Sequence, residues 1–399
     1  MQKPSLPVFI PSGFRFAATA CGIKKSGKLD LSLIVADRPV RGAGVYTTNQ
    51  IVAAPVLISQ SRTPSSEIRA IVTNSGNANA CTGDQGTQDA LAMTAQVANK
   101  IGCDPDGVLV MSTGIIGHAL PMEKVTAGID AATEALSDSE SSFLSAADGI
   151  LTTDVDRKVV STQIKIDGQT YTIAAMAKGA GMIAPNMATM LGVVLTDAPL
   201  SANVAADVLK TAANLSFNRV SVDGHTSTND TLLLLSSGEG EFLDGDELDQ
   251  FQYRVNEVCI DLAKKLVADG EGATHVMAIN VTGAANEADA ELIAKTVAAS
   301  PLVKTAITGG DPNWGRIVSA TGYAGPKIDP TKTSLKICSV TIYRDGSPEP
   351  FDAKSLSESM KSNPEVEIEL RVGTGPGQAK YWSSDLTCDY VRFNSEYTT

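Results

Sequence analysis

The sequence contains only three histidines, His118, His225 and His275, too few and too dispersed for a histidine-based metal site. Each is expected to be a surface or hydrogen-bonded residue. The six cysteines (Cys21, Cys81, Cys103, Cys259, Cys338 and Cys388) include no CxxC pair and have no histidine at metal-ligand spacing. That excludes a zinc framework and points to reduced, mostly buried thiols in a cytoplasmic protein. No stretch reaches the roughly 18 uninterrupted apolar residues of a membrane span. Pro4, Pro7 and Pro11 break the apolar run at the start, so neither a membrane nor a secretory signal is expected. Basic residues form no dense stripe, and 32 Lys/Arg against 45 Asp/Glu leave a formal charge of −13, which argues against nucleic acid as a partner. There is no internal repeat and no low-complexity linker.

What is present is the balance of a folded soluble protein, 43 % hydrophobic and 19 % charged over 399 residues. That length suggests two or three domains at roughly 100–200 residues each. Leu29, Leu31, Leu33 and Val35 alternate as in a half-buried strand. A helix is expected from about Thr87, with Ala90, Met93, Val97 and Ile101 on one face and Gly102 to end it. The run at 107–111 predicts a buried strand that delivers Ser112, Thr113 and Gly114 to its end. Strands follow at 169–177 and 190–197, then a helix capped by Ser201 and another carrying Phe251, Val255, Cys259, Leu262 and Leu266. After a helix near 287–299, strands at 334–343 and 365–372 dominate. This change of character places a soft boundary near Asn280, dividing a main nucleophile domain (1–280) from a smaller α+β domain (281–399).

The segment KGAGMIAPNMATML (178–191) supports two functional readings. Gly179, Gly181 and Ala184 stand at the G-x-G-x-x-A spacing of a dinucleotide site, which would imply a nicotinamide-dependent oxidoreductase. Pro185 argues against it by breaking the helix such a site requires, and the next strand follows too soon for a crossover. The second reading centres on Thr189. A threonine hydroxyl needs an adjacent base, and its own α-amine serves once the chain is cut between Ala188 and Thr189. The unperturbed α-amine pKa of about 7.7–8.0 suits a base working near neutral pH. The glycine-rich GTGPGQ at 373–378 lacks the Lys-Ser/Thr ending of a phosphate loop and reads as a turn.

The same segment resembles the self-cleavage motif of the ornithine acetyltransferases, also called glutamate N-acetyltransferases. NSGNANACTG (74–83), STG (112–114), SVDGHTSTNDT (221–231), DGEGAT (269–274), SPLVKTA (300–306), DPNWGRI (311–317) and DYVRFNSEYTT (389–399) resemble further blocks of that family, in order, over essentially the whole chain. The resemblance implies an α/β (α+β) fold of layered sheets between helices, shared with the β-aminopeptidases. It implies acetyl transfer from N-acetylornithine to glutamate through an acetyl-Thr189 intermediate in arginine biosynthesis, with acetyl-CoA a second donor in some members. No cofactor or metal is implied. Thr113 and Gly114 match the oxyanion hole, and Lys178, Thr189, Glu271, Asn394 and Thr399 match substrate contacts. So does one of Thr152 and Thr153, with Thr153 favoured because only one of the pair would face the pocket in a strand. The DYVRF run is expected to dock in the sheet as a strand. The family pairs cleaved α and β fragments into heterotetramers. An amidase or β-aminopeptidase of the same superfamily is the alternative. His225 departs from the pattern, which commonly has an acid there.

Overall fold

The computed structural model describes residues 8–184 and 190–396. Among them, eight strands form a first sheet: β1 (Phe14–Thr19), β2 (Leu31–Tyr46), β3 (Ser65–Asn77), β4 (Val108–Ile115), β5 (Lys158–Ile166), β6 (Gln169–Lys178), β7 (Leu191–Thr196) and β9 (Thr231–Ser236). Its order is β4-β3-β2-β9-β7-β6-β5, with β1 on β2. The short β8 (Val220–Ser221) joins a second sheet with β10 (Val276–Ala284), β11 (Ser334–Ile337), β12 (Val340–Arg344), β13 (Ser347–Pro348), β14 (Glu365–Arg371) and β15 (Gly377–Ser384). The order there is β13-β12-β11-β14-β10-β15-β8. This is the expected layered α/β architecture.

The first sheet is covered on both faces. Leu31, Leu33 and Val35 of β2 pack with Met93, Val97 and Ile129 of the helices Gly83–Ile101 and Met122–Glu134. The intervening Ile34 and Ala36 share the opposite cluster with Phe16 and Phe143, whose rings meet edge to face at 5.2 Å. The alternating leucines therefore lie in a stretch of β2, residues 31–36, that is buried on both faces rather than half-buried as expected. A register shift after Val35 bends β2, so its first half pairs with β3 and Arg41–Tyr46 pair with β9. Helices Ala202–Leu215 and Gly245–Ala268 cover the sheet around β6, β7 and β9, and the Ser201 hydroxyl caps the first of them by accepting from Val204 N.

Four further expectations need correction. The helix placed from Thr87 begins at Gly83, because two glycines and a polar first turn hide its start. The run 334–343 is not one strand. It reverses at Cys338 and Ser339, both at positive φ (47° and 65°), as a two-residue hairpin turn demands, although neither is the usual Asn or Gly. Asn280, the expected boundary, lies inside β10 opposite Lys380. The second sheet starts before it, and β8 reaches into that sheet through the Val220–Trp382 pair, so no linker separates the two there. Finally, DYVRF is helical: Cys388–Glu396 is a helix, with the Thr387 hydroxyl accepting from Tyr390 N at 3.2 Å.

Candidate active site

Strand ends and loops deliver polar groups to one cavity of about 210 Å³, lined among others by Thr113, Gly114, Thr153, Lys178, Glu271 and Asn394. Thr113 and Gly114 sit near the end of β4, where the β3–β4 pairing slips. Gly114 has φ +134°, and a Cβ there would lie 2.3 Å from Gly76 C, so the bend that presents Thr113 tolerates only glycine. Asn229 holds this corner by donating to Ala78 O at 2.6 Å and Ser112 O at 2.9 Å.

Lys178 closes β6. Its ammonium is buried, donates to Thr113 Oγ1 at 3.3 Å and lies 3.8 Å from Asp154. Burial pulls its pKa below the ordinary lysine value, against the attraction of Asp154. For Asp154 itself burial favours the neutral acid, yet the charges of Lys178 and Lys158 prevail and hold its pKa at about 2. Lys158 also binds Asp269, two residues before Glu271.

Glu271 is the opposite wall. Its carboxylate accepts from Thr153 Oγ1 at 2.8 Å and from Asn394 Nδ2 at 3.0 Å. A Cβ on Gly181 would meet it at 2.5 Å, so the second glycine of KGAGM serves close approach of a carboxylate rather than a pyrophosphate. β6 and β7 are antiparallel neighbours, which removes the βαβ unit that a dinucleotide site requires. Thr152 and Thr153 lie in a loop and both line the cavity, so the strand argument for choosing between them does not apply, although Thr153 alone bonds Glu271.

Two carboxylates anchor the chain on either side of residues 185–189. Asp223 accepts from Met182 N at 2.7 Å and Ile183 N at 2.9 Å, and Asp230 accepts from Met190 N at 3.0 Å. Burial raises both pKa values, that of Asp230 well above the usual carboxylate range. Tyr390 completes the wall. Burial, with Asp223 and Glu271 nearby, pushes its phenol up to about 12. Thr387 ties the final helix to Gly272 O at 2.7 Å. Ala188, Thr189 and Thr399 lie outside the described residues.

The ArgJ family model matches residues 15–399. The chain belongs to the ArgJ family. An "Arginine biosynthesis bifunctional protein ArgJ" from Rhodopirellula baltica is 60 % identical over 403 residues, covering 100 % of this chain and 98 % of that one. A protein of the same name from Dehalococcoides mccartyi is 43 % identical, covering 99 % and 98 %. A solved ornithine acetyltransferase from Mycobacterium tuberculosis, complexed with ornithine, is 40 % identical over 45 % of this chain and 94 % of its own, with a TM-score of 0.42.

Within this ArgJ family chain, sequence reasoning passed over Asp154, Lys158, Met182 and Tyr390. A signal existed for the first, since TTDVDRK places an acid next to the threonine pair, but an acid four residues before a lysine is also a common surface pattern. His225 lines the cavity rim, and its N–H is held by Asp223 at 3.1 Å. Among the described residues no group of His, Cys, Asp or Glu is arranged to hold a metal, and no helix is long and apolar enough to cross a membrane.

Proposed function

We infer that this chain transfers an acetyl group from N2-acetylornithine to glutamate in arginine biosynthesis, after cutting itself between Ala188 and Thr189. The observation that carries this reading is the single cavity that gathers a buried ammonium (Lys178), a carboxylate (Glu271), a hydroxyl on a strained strand end (Thr113, Gly114) and the final helix (Asn394). It is a site with an ammonium and carboxylates for the charged groups of an amino acid and a donor for a carbonyl oxygen. Family membership supplies the acetyl chemistry.

In the first half-reaction the Thr189 hydroxyl attacks the acetyl carbonyl, and the Thr189 α-amine takes its proton. The tetrahedral oxyanion is met by the Thr113 hydroxyl and the Gly114 N–H. The C–N bond then breaks, the nitrogen receives the proton from the α-ammonium, and ornithine leaves. The neutral α-amine of glutamate attacks the ester and gives its proton to the Thr189 α-amine; the C–O bond to Thr189 then breaks, the oxygen takes that proton back, and N-acetylglutamate leaves. Lys178 suits the α-carboxylate of either substrate, and Glu271 suits an ammonium. Acetyl-CoA is the second donor to test, since relatives are named bifunctional.

The two fragments stay together as a pair, and two pairs form the α2β2 heterotetramer. The enzyme works in the cytoplasm without metal or cofactor. Intact mass spectrometry before and after incubation with N-acetylornithine tests the reading. The expected result is two fragments meeting at 188/189, with one acetyl mass on the second alone. A single intact chain, or an acetyl on the first fragment, would overturn it.

A further inference from the structure

Asp154 is not among the groups assigned a role above, yet it is tied into the cavity wall on every side. Its side chain is fully buried. Oδ1 accepts from Lys158 Nζ at 2.5 Å and from Gly179 N at 2.6 Å, and Oδ2 accepts from Thr152 N at 3.0 Å and lies 3.8 Å from Lys178 Nζ. Gly179 follows Lys178 directly and Thr152 lines the cavity, so one carboxylate holds two backbone segments at the cavity and the ammonium beside them.

The direction of one hydrogen bond decides what this arrangement does. Lys178 Nζ and Thr113 Oγ1 are 3.3 Å apart. A charged ammonium has three donors and no acceptor, so in that contact the hydroxyl must accept. The single O–H proton of Thr113 is thereby kept for another acceptor. Were Lys178 neutral, its lone pair would compete for that proton and the hydroxyl would lose its role as a donor. Burial works toward the neutral amine. The charges facing Lys178 come from several elements: Asp154 from the loop before β5, Glu271 and Asp230 from other loops, with Lys158 on β5 and Lys24 opposing them. Asp154 is the foremost of the charges that favour the ammonium form of Lys178 against burial.

We infer that Asp154 is a positioning residue for acyl transfer: it holds Lys178 charged and aimed at Thr113, and so keeps the Thr113 proton available to the developing oxyanion. This rests on the reading of Thr113 as an oxyanion donor.

The test follows kcat across pH for self-cleaved enzyme carrying Asp154→Asn or Lys158→Met. Asp154→Asn is expected to lower kcat by roughly 10- to 100-fold, the scale of a misplaced catalytic group. KM should change less, and the basic limb of the profile should move to lower pH. Lys158→Met removes a repelling charge from Lys178 and should move that limb to higher pH. Opposite shifts are beyond a merely structural role, and Lys158→Met keeps the test alive if Asp154→Asn does not fold. A basic limb that stays in place in every variant that folds overturns the inference. In the double variant with Thr113→Ala, Asp154→Asn should add no more than about a twofold loss, because both act through the same proton. Full multiplication of the two losses overturns the proposal while leaving Thr113 as the donor. Wild-type turnover in Thr113→Ala alone would remove the oxyanion reading itself.

Discussion

β7 and β9 of the first sheet are buried at every position, whereas β14 of the second alternates exposed Glu365, Glu367 and Arg371 with buried Val366, Ile368 and Leu370. The inner strands of the first sheet are sandwiched between helix layers, while its edge strand β5 keeps Gln163 and Lys165 exposed, and the polar groups of the cavity appear at strand ends and in the loops beyond them. Thr113, Lys178 and Asp230 are all in such places. The second sheet covers one face with the helices Glu287–Ala299 and Trp314–Gly322 and leaves much of the other to solvent. It brings no strand side chain to the cavity, whose remaining walls come from Glu271 before β10 and from Tyr390 and Asn394 after β15. The cavity opens at the rim of the first sheet, and the segments flanking the second sheet complete its walls.

The comparison can be broken at its strongest point first. Thr189→Ala should remain one uncut chain without detectable transfer, because the attacking hydroxyl of both reactions is gone. Two bands at the 188/189 junction on a denaturing gel would contradict this. Next, Leu233→Ala in β9 should cost about 2–5 kcal/mol in urea unfolding of the uncut variant, as expected for a large core truncation. Thr113→Ala should lower turnover by roughly 100-fold or more, measured as N-acetylglutamate formation.

Smaller effects sharpen the contrast. Deleting Ser395 to Thr399 should raise KM for acetylornithine and glutamate several-fold, roughly the loss of a single polar contact, while cleavage at Thr189 proceeds. Unchanged steady-state constants would separate the residues after Asn394 from the substrate space. The smallest change is expected for Glu367→Ala on the exposed face of β14, within about 0.5 kcal/mol of the parent in the same unfolding assay.

The contrast also decided what could be read from the residues. The alternation at 365–372 gave its strand directly, since one face is wet. In β9 the run of four leucines is silent about period, and the alternating leucines of β2 hid a second buried face. The site was legible where blocks matched a family: Thr113, Gly114, Thr153, Lys178, Glu271 and Asn394 do meet in one cavity. Asp154 and Lys158 were not, because a buried ion pair reads in sequence like a surface one. DYVRF was misread because its strand-like composition carries no sign of the Thr387 cap that starts a helix.

Under the proposed cleavage, the order of strands in the first sheet bears on how the cut enzyme ages. β7 and β9 lie in its middle, with β2 on one side and β6 on the other. Cutting before Thr189 assigns the two inner strands to one fragment and their neighbours on both sides to the other. The sheet must therefore be woven while the chain is still continuous, and the scission afterwards erases the connection that guided the weaving. Two fragments that later come apart would have to find each other and interleave by diffusion, with apolar strands bare in the meantime and open to aggregation. For such a molecule the working lifetime is set by how slowly it opens rather than by any balance with an unfolded state.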